Sequence, residues 1–589
     1  MATIAKENIT TTAWSRRIPA IFRTCPVTGK KIHQDAQNLI RLNILAALTV
    51  FAIGVVSALL LVLTRWQAVH LLPVDWYYRI LTAHGVNMLI FFILFFEMAL
   101  FYYAGPVMLN CRLPTPILGW AGFSLMCCGV FLVEYTIFTG QADVLFTSYV
   151  PLKAHLLYYM GIALFAVGAL LVVCLFFATL VIARRELTYT GSVPLFTFGG
   201  VTAAVISVIT IVHGAAIYIP TIMWAAGHFE LDPEIYRIIW WGLGHSSQQI
   251  NVAFMVSIWY LLGSMTCGAM VLNEKVSRVA FFLYILFISM ASAHHLLVDP
   301  GMGPAWKIWN TSYAMYLAVL ASLVHGFTVP AGIEYGMRLR GFVRGRFEWL
   351  QEAPWGDPGF SGLFLSLIIF GFIGGITGVT LGAEQINIIA HNSLRITGHF
   401  HTTVVGGTAL AFMGMMYYFL PLFFGKKISH WRMAKIQPYV FALGISVMAM
   451  AMIALGALGI PRRHWDITFS SALFDVQFPA ISTMLFAVMG VGGILAFLGG
   501  AMFLIISISS IFFGNRMLES DYNSGVIQKG IPQGLSKFPQ QEYSDDDVNA
   551  VHRSGGASGT MILVFVLLIC FILFYFTNWQ LLSSVWKVG

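Results

Sequence analysis

Residues 397–402 read Thr397-Gly398-His399-Phe400-His401-Thr402, inside a long apolar run. A polar side chain in a membrane interior is costly unless something within the protein binds it. With 3.6 residues per helical turn, positions i and i+2 point about 200° apart. The imidazoles of His399 and His401 therefore face different sides of one helix and can serve two different sites. Hydrogen bonding in a core is the plainer reading of one such histidine. A pair, joined by further intramembrane histidines, points to ligand chemistry.

The surrounding chain has 589 residues, 58% hydrophobic and 10% charged, with a mean hydropathy of +0.80. That composition excludes a soluble globular protein and implies an integral membrane protein. A window of about 20 residues finds about 13 apolar spans. They fall at roughly 39–64, 77–104, 117–139, 157–183, 194–224, 235–265, 277–298, 310–335, 362–385, 391–423, 437–458, 478–513 and 559–582. The expected fold is all-α: a cytoplasmic N-terminal segment (1–38), a twelve-helix core (39–513), a solvated cytoplasmic connector (514–558) and one appended C-terminal helix (559–589). The polar N-terminal segment lacks the apolar stretch of a signal peptide. The seven cysteines are scattered, with no CxxC and no CxxCH, so neither a disulfide framework, a covalently attached heme nor a Cys/His zinc site is expected.

Positive charge sets the orientation. Arg16, Arg17, Arg23, Lys30 and Lys31 precede the first span, and every second loop from there is basic: Arg112, Arg184-Arg185, Lys275 and Arg278, Arg338 to Arg346, Lys426 to Lys435, then Arg516, Lys529 and Lys537. The N-terminus is thus cytoplasmic and, after thirteen spans, the C-terminus lies outside. The net charge of +8 follows from this topology and does not call for nucleic acid.

With that orientation, His84 (span 2), His245 (span 6), His294 and His295 (end of span 7), and His399 and His401 (span 10) all lie in the outer part of the membrane. Independent core histidines have no reason to agree in depth. Six neutral imidazoles from four helices suit a cluster of metal centres, and two hemes with one further metal would use them all. The exception to the charge rule is Arg462-Arg463 in an outer loop. Arginine pairs with carboxylates in bidentate geometry, which fits two heme propionates.

At these residues the chain resembles the catalytic subunit of the heme-copper oxidase superfamily. The resemblance rests on Ala83-His84-Gly85, on the His294-His295-Leu-Leu-Val-Asp-Pro-Gly301 stretch, on His399-Phe400-His401 and on Pro461-Arg462-Arg463. His391 to His401 and the thirteenth span look most like the B branch. The resemblance implies His84 and His401 as axial ligands of a low-spin heme, and His399 as proximal ligand of a high-spin heme. It implies His245, His294 and His295 around a non-heme metal, with His391, Arg462 and Arg463 at heme propionates. It also implies a bacterial cytoplasmic (inner) membrane.

One position departs. Oxygen-reducing members of the A and B branches carry a tyrosine four residues after the span-6 histidine, on the same helical face. Here that residue is Gln249, and where a third branch places its tyrosine the chain has Ile288. An amide cannot give up an electron and a proton as a phenol does. Coupling two nitric oxide molecules to nitrous oxide and water needs two electrons, where dioxygen cleavage needs four. Nitric oxide reductases of the superfamily hold a glutamate at this position. Gln249 could bind the metal or hydrogen-bond a bound oxygen, with Gln248 competing for the role. The expected activity is therefore nitric oxide reduction, the alternative being a terminal oxygen reductase. Three histidines without a carboxylate suit copper over iron.

A polar stripe of Ser322, His325 and Thr328 in span 8, with Tyr260 in span 6, is the candidate proton path from the cytoplasm. Bonding of Ser and Thr to their own backbone is the competing reading. Glu97 and Glu134 are further intramembrane carboxylates. Asn387 stands where the oxidases would carry a carboxylate. The chain has no electron-entry motif of its own, so the resemblance implies an outer-face partner subunit with a cupredoxin or cytochrome c domain.

Overall fold

The computed structural model describes residues 21–27, 29–289, 291–469, 473–474, 476–522, 528–535, 549, 551 and 555–585. Arg16, Arg17, Lys537 and the acidic run Asp545-Asp546-Asp547 lie outside the described residues.

Twelve helices among the described residues are long and apolar enough to cross a membrane. They are α1 (Gln34–Arg65), α2 (Val74–Val107), α3 (Pro116–Phe138), α4 (Leu156–Arg185), α5 (Leu195–Ala225) and α6 (Pro233–Cys267). After α7 come α8 (Pro304–Leu339), α9 (Pro358–Leu381), α10 (Leu394–Phe424), α11 (Trp431–Ala457), α12 (Ile481–Phe513) and α13 (Ser558–Ser584). The span expected at 277–298 is not one regular helix. It runs as α7 (Glu274–Leu283), widens into a π turn at Tyr284–Ile288 and ends in a 3₁₀ turn at Ala291–His295. Such irregular turns redirect side chains and concentrate at functional sites. This one presents His294 and His295. A two-stranded hairpin, Phe22–Thr24 with Lys31–His33, is the only sheet among the described residues.

Local chemistry sets the ends. Asp232 caps α6 by accepting from Glu234 N and Ile235 N, with Pro233 at the first turn. Gly268, at φ 64, closes the same helix in the left-handed region. Consecutive helices pack on one another, α12 returns to α1, and α10 is the most buried of the twelve spans. Between α3 and α4 the backbones touch: a Cβ on Gly129 would meet Gly161 O at 2.5 Å. In lipid, such close approach supplies the packing that apolar burial cannot.

Two expectations change. The described connector is exposed along 515–520 but folds back onto the core at 530–535. Ile531 and Leu535 are buried, and Gln533 N donates to Asp357 Oδ2 at 2.6 Å. The thirteenth helix is more than an appendix, because its inner end is clamped. Glu334 of α8, fully buried, accepts from Gly559 N (3.0 Å), Thr560 N (2.7 Å) and Thr560 Oγ1 (2.8 Å), and pairs with buried Arg338 at 2.8 Å. A carboxylate at a helix N-terminus satisfies the free N–H groups and the dipole together.

Glu334→Ala takes the carboxylate away from the buried charge of Arg338, a loss of about 3–5 kcal/mol. The unfolding midpoint in detergent is expected to drop, and the double substitution Glu334→Met/Arg338→Met to recover part of the drop.

Candidate functional site

Three of the six histidines each have a partner at Nδ1 that fixes their tautomer. His84 Nδ1 lies 2.9 Å from Gly54 O, and His401 Nδ1 lies 2.8 Å from Thr397 O. A carbonyl can only accept, so each Nδ1 carries the proton and each Nε2 keeps its lone pair. The two rings are nearly parallel, 13° apart, with centres 6.3 Å apart. Two metal–nitrogen bonds of about 2 Å each, plus the two ring radii, span such a distance. The donor set fits a bis-imidazole heme iron between α2 and α10.

His399 faces α9. Its Nδ1 lies 3.0 Å from Thr377 Oγ1, whose own proton goes to Ile373 O at 2.6 Å. Thr377 thus accepts from Nδ1–H, and Nε2 is again the free donor atom. Gly378 makes room, since a Cβ there would meet His399 Cε1 at 2.9 Å. His399 and His401 do serve opposite sides of α10.

His245, His294 and His295 present ring nitrogens all within 4.8 Å of one another. Trp241 stacks on His295 with ring centres 3.8 Å apart and planes 7° apart, holding that ring from α6. Asn387 Nδ2 donates to His294 O at 3.1 Å, so this amide braces the turn that carries the histidines. Three imidazole nitrogens so close together fit one transition-metal ion.

Gln249 does not face the centre of that triad. His245 Nδ1 points to His295 Nε2 at 3.2 Å, while Gln249 Nε2 lies 3.4 Å from the other ring nitrogen, His245 Nε2. When Nδ1 binds a metal, Nε2 carries the proton, and the amide accepts it through Oε1 after a half-turn. Amide orientation follows the hydrogen-bond network. Gln248 lines the same cavity, but its Oε1 accepts from Asn251 Nδ2 at 3.1 Å. Gln249 is thus the glutamine in contact with a triad histidine.

His245, Gln249, His294, His295, His391, His399 and Arg462 line one cavity of about 830 Å³. That is the size of a cofactor pocket, about 300–1,000 Å³. It reaches Leu563, Leu567 and Phe571 of α13, so the thirteenth helix forms part of its wall. A single tyrosine lines it, Tyr316, which is 55% exposed and lies near Tyr575 rather than the histidines.

The rim of the cavity at His391 and Arg462 carries surplus positive charge. Arg237 Nη2 pairs with Asp299 Oδ2 at 2.7 Å, and His391 Nε2 lies 3.5 Å from Asp299 Oδ1. Arg462 Nη2 donates to Asn392 Oδ1 at 2.8 Å and keeps a buried, unpartnered Nε. Arg463 and Arg237 both lie over the Tyr149 ring. Burial and then Arg462, Arg237 and Arg463 push His391 down to about 4, and burial pushes Arg462 down to about 9. Three guanidiniums against one carboxylate fit two further carboxylates, as heme propionates would supply.

Further along α6, Tyr260 OH joins Ser277 Oγ (3.0 Å), His325 Nδ1 (3.0 Å) and Thr328 Oγ1 (2.6 Å). Thr328 also donates to its own Val324 O at 2.8 Å, so both readings of the stripe hold for that residue. Ser322, which lines the large cavity, bonds Tyr284 OH at 3.2 Å. Tyr260 and Thr328 border a smaller inner cavity of about 200 Å³. Glu134 Oε1 accepts from Asn87 at 2.7 Å, and neither oxygen of buried Glu97 has a partner.

Arg237, Asp299, Tyr284 and Thr377 escaped the sequence reading as site residues. Asp299 stood in the quoted motif after His294-His295. The others carry no spacing signal, since each reaches its partner across helices.

Replacing His294 with Ala removes one nitrogen of three. Metal analysis of the purified protein is expected to show loss of the non-heme metal with both heme absorbances retained, whereas His84→Ala removes the low-spin absorbance alone.

The family model described as cytochrome c and quinol oxidase polypeptide I matches residues 38–495. Cytochrome c oxidase subunit 1 of Thermus thermophilus is 30% identical over 446 residues, 74% of this chain and 78% of the relative. Quinol oxidase subunit 1 of Bacillus subtilis is 23% identical over 433 residues, 71% of this chain and 63% of the relative. A solved heme-copper terminal oxidase dimer superposes with a TM-score of 0.77 at 24% identity, covering 91% of this chain and 92% of that one, which is a likeness of fold.

Proposed function

Since the chain belongs to the cytochrome c and quinol oxidase polypeptide I family, we propose that it is the catalytic subunit of a membrane nitric oxide reductase. The reaction joins two NO with two electrons and two protons to give nitrous oxide and water. One observation carries the reading: the side chain beside the His245 ring is the Gln249 amide, and no tyrosine among the described residues stands there. No phenol at the metal can then supply the fourth electron of dioxygen cleavage.

In this reading His84 and His401 hold a low-spin heme, His399 a high-spin heme, and His245, His294 and His295 a metal, with copper favoured over iron by the all-nitrogen donor set. When bound, these groups supply the electrons and the Lewis-acid positions for N–N coupling. The residues of the chain do the rest. His391, Arg462 and Arg463 hold propionates at the outer rim. Gln249 accepts from His245 Nε2–H and so keeps Nδ1 turned to the metal. Trp241 prevents His295 from rotating. Protons enter from the cytoplasm by way of Thr328, Tyr260 and His325, with Tyr284 and Ser322 completing the way to the cavity. The N-terminus is cytoplasmic, the C-terminus lies outside the bacterial inner membrane, and electrons arrive from an outer-face subunit with a cupredoxin or cytochrome c domain.

The names of the relatives support a second reading, a terminal oxygen reductase that works without the tyrosine. The two part in one assay. Given reductant, the purified complex is expected to turn NO into nitrous oxide rapidly and to consume dioxygen slowly. Fast, cyanide-sensitive dioxygen uptake without nitrous oxide would overturn the proposal. Gln249→Ala is expected to lower NO turnover and metal retention by roughly 10–100-fold, the usual effect of losing a partner of a metal ligand.

A further inference from the structure

Arg395 lies in the first turn of α10 and is 2% exposed. Its Nε and Nη2 are buried and have no hydrogen-bond partner. No carboxylate lies within ion-pair distance of it among the described residues. Its one recorded side-chain contact of this kind is the face of the Phe574 ring on α13, 5.8 Å from the guanidinium carbon. Three costs coincide here. A buried charge without a partner is expensive, arginine does not shed its proton to escape, and the first turn of a helix is already the positive end of its dipole. A tightly packed interior retains such a charge only where a favourable interaction offsets it. The backbone around it leaves little room for another arrangement, since a Cβ on Gly456 of α11 would collide with Arg395 N.

His399 is four residues on, one turn further along the same face. Arg395 is close enough for its charge to act on the His399 ring. The other partner of that ring is neutral: Thr377 Oγ1 accepts from Nδ1–H at 3.0 Å. A carboxylate in that place would make the imidazole more basic and favour the oxidised metal. A hydroxyl with a cation beside it does the opposite.

We infer that Arg395 is a positioning residue for electrons: its uncompensated charge raises the reduction potential of the high-spin heme held by His399 and so directs the electron from the low-spin heme to the reacting side. This inference rests on the assignment of His399 made above. Reduction lowers the positive charge on the iron by one, and a fixed cation in a water-poor interior stabilises that change. The Nδ1 partners of His84 and His401, on the other side of α10, are the neutral carbonyls of Gly54 and Thr397.

The test is an anaerobic redox titration of the purified complex, following both hemes by absorbance. Arg395→Gln is expected to lower the high-spin midpoint potential while the low-spin one stays in place, and Arg395→Lys to restore it. Gln and Lys are both polar and of similar length, so charge alone separates them, whatever Arg395→Met does to folding. Unchanged high-spin potential in a fully loaded Arg395→Gln complex overturns the inference. His399→Gly in the same titration tests the underlying assignment independently. Survival of the high-spin absorbance in that variant would remove His399 as its ligand, whatever the Arg395 variants show.

Discussion

An imidazole inside a bilayer has to be satisfied at both nitrogens, and the fold is arranged around that demand. Each of His84, His399 and His401 spends Nδ1–H on an oxygen of the protein, a carbonyl of Gly54, the hydroxyl of Thr377 or a carbonyl of its own helix. The remaining lone pair on Nε2 cannot be satisfied by lipid. It requires a donor or a metal, and three such rings on two spans require more than one. The buried position of α10, the approach of α9 at Gly378 and the broken end of α7 all serve to bring these nitrogens to common points.

The same logic explains where the helices lose regularity. π turns follow His84, at Asn87–Phe91, and begin at His401, at His401–Ala409. A wider turn shifts the register of every side chain beyond it. It lets one helix present a ligand to its neighbour and still pack regularly afterwards. At the end of α7 the change is greater, where the chain passes from the π turn at Tyr284–Ile288 to the 3₁₀ turn Ala291–His295 that carries both histidines.

Charge is distributed with equal economy. The outer rim gathers Arg237, Arg462 and Arg463 around one aspartate, an excess that suits carboxylates brought by a cofactor. The inner end of α8 instead neutralises its charges internally through Glu334 and Arg338, and so binds α13 to the core. That helix then closes one side of the main cavity, which gives the thirteenth span a part in the site.

Much of this was legible in the chain alone. Hydropathy determined the spans, because twenty apolar residues have few other uses. The basic loops set the expected orientation, because lysine and arginine resist translocation. The histidine spacing in Thr397–Thr402 determined that one helix serves two sites, because 3.6 residues per turn leaves i and i+2 on opposite faces. Contacts between helices belonged to the tertiary structure alone. That Gln249 addresses the far nitrogen of His245, that Thr377 and Arg395 flank His399, that Tyr284 joins Ser322 and that the connector folds back on Asp357 depend on distances across the bundle. No periodicity within a single span encodes such distances, because a helix's own geometry says which way a side chain points and not what it will meet.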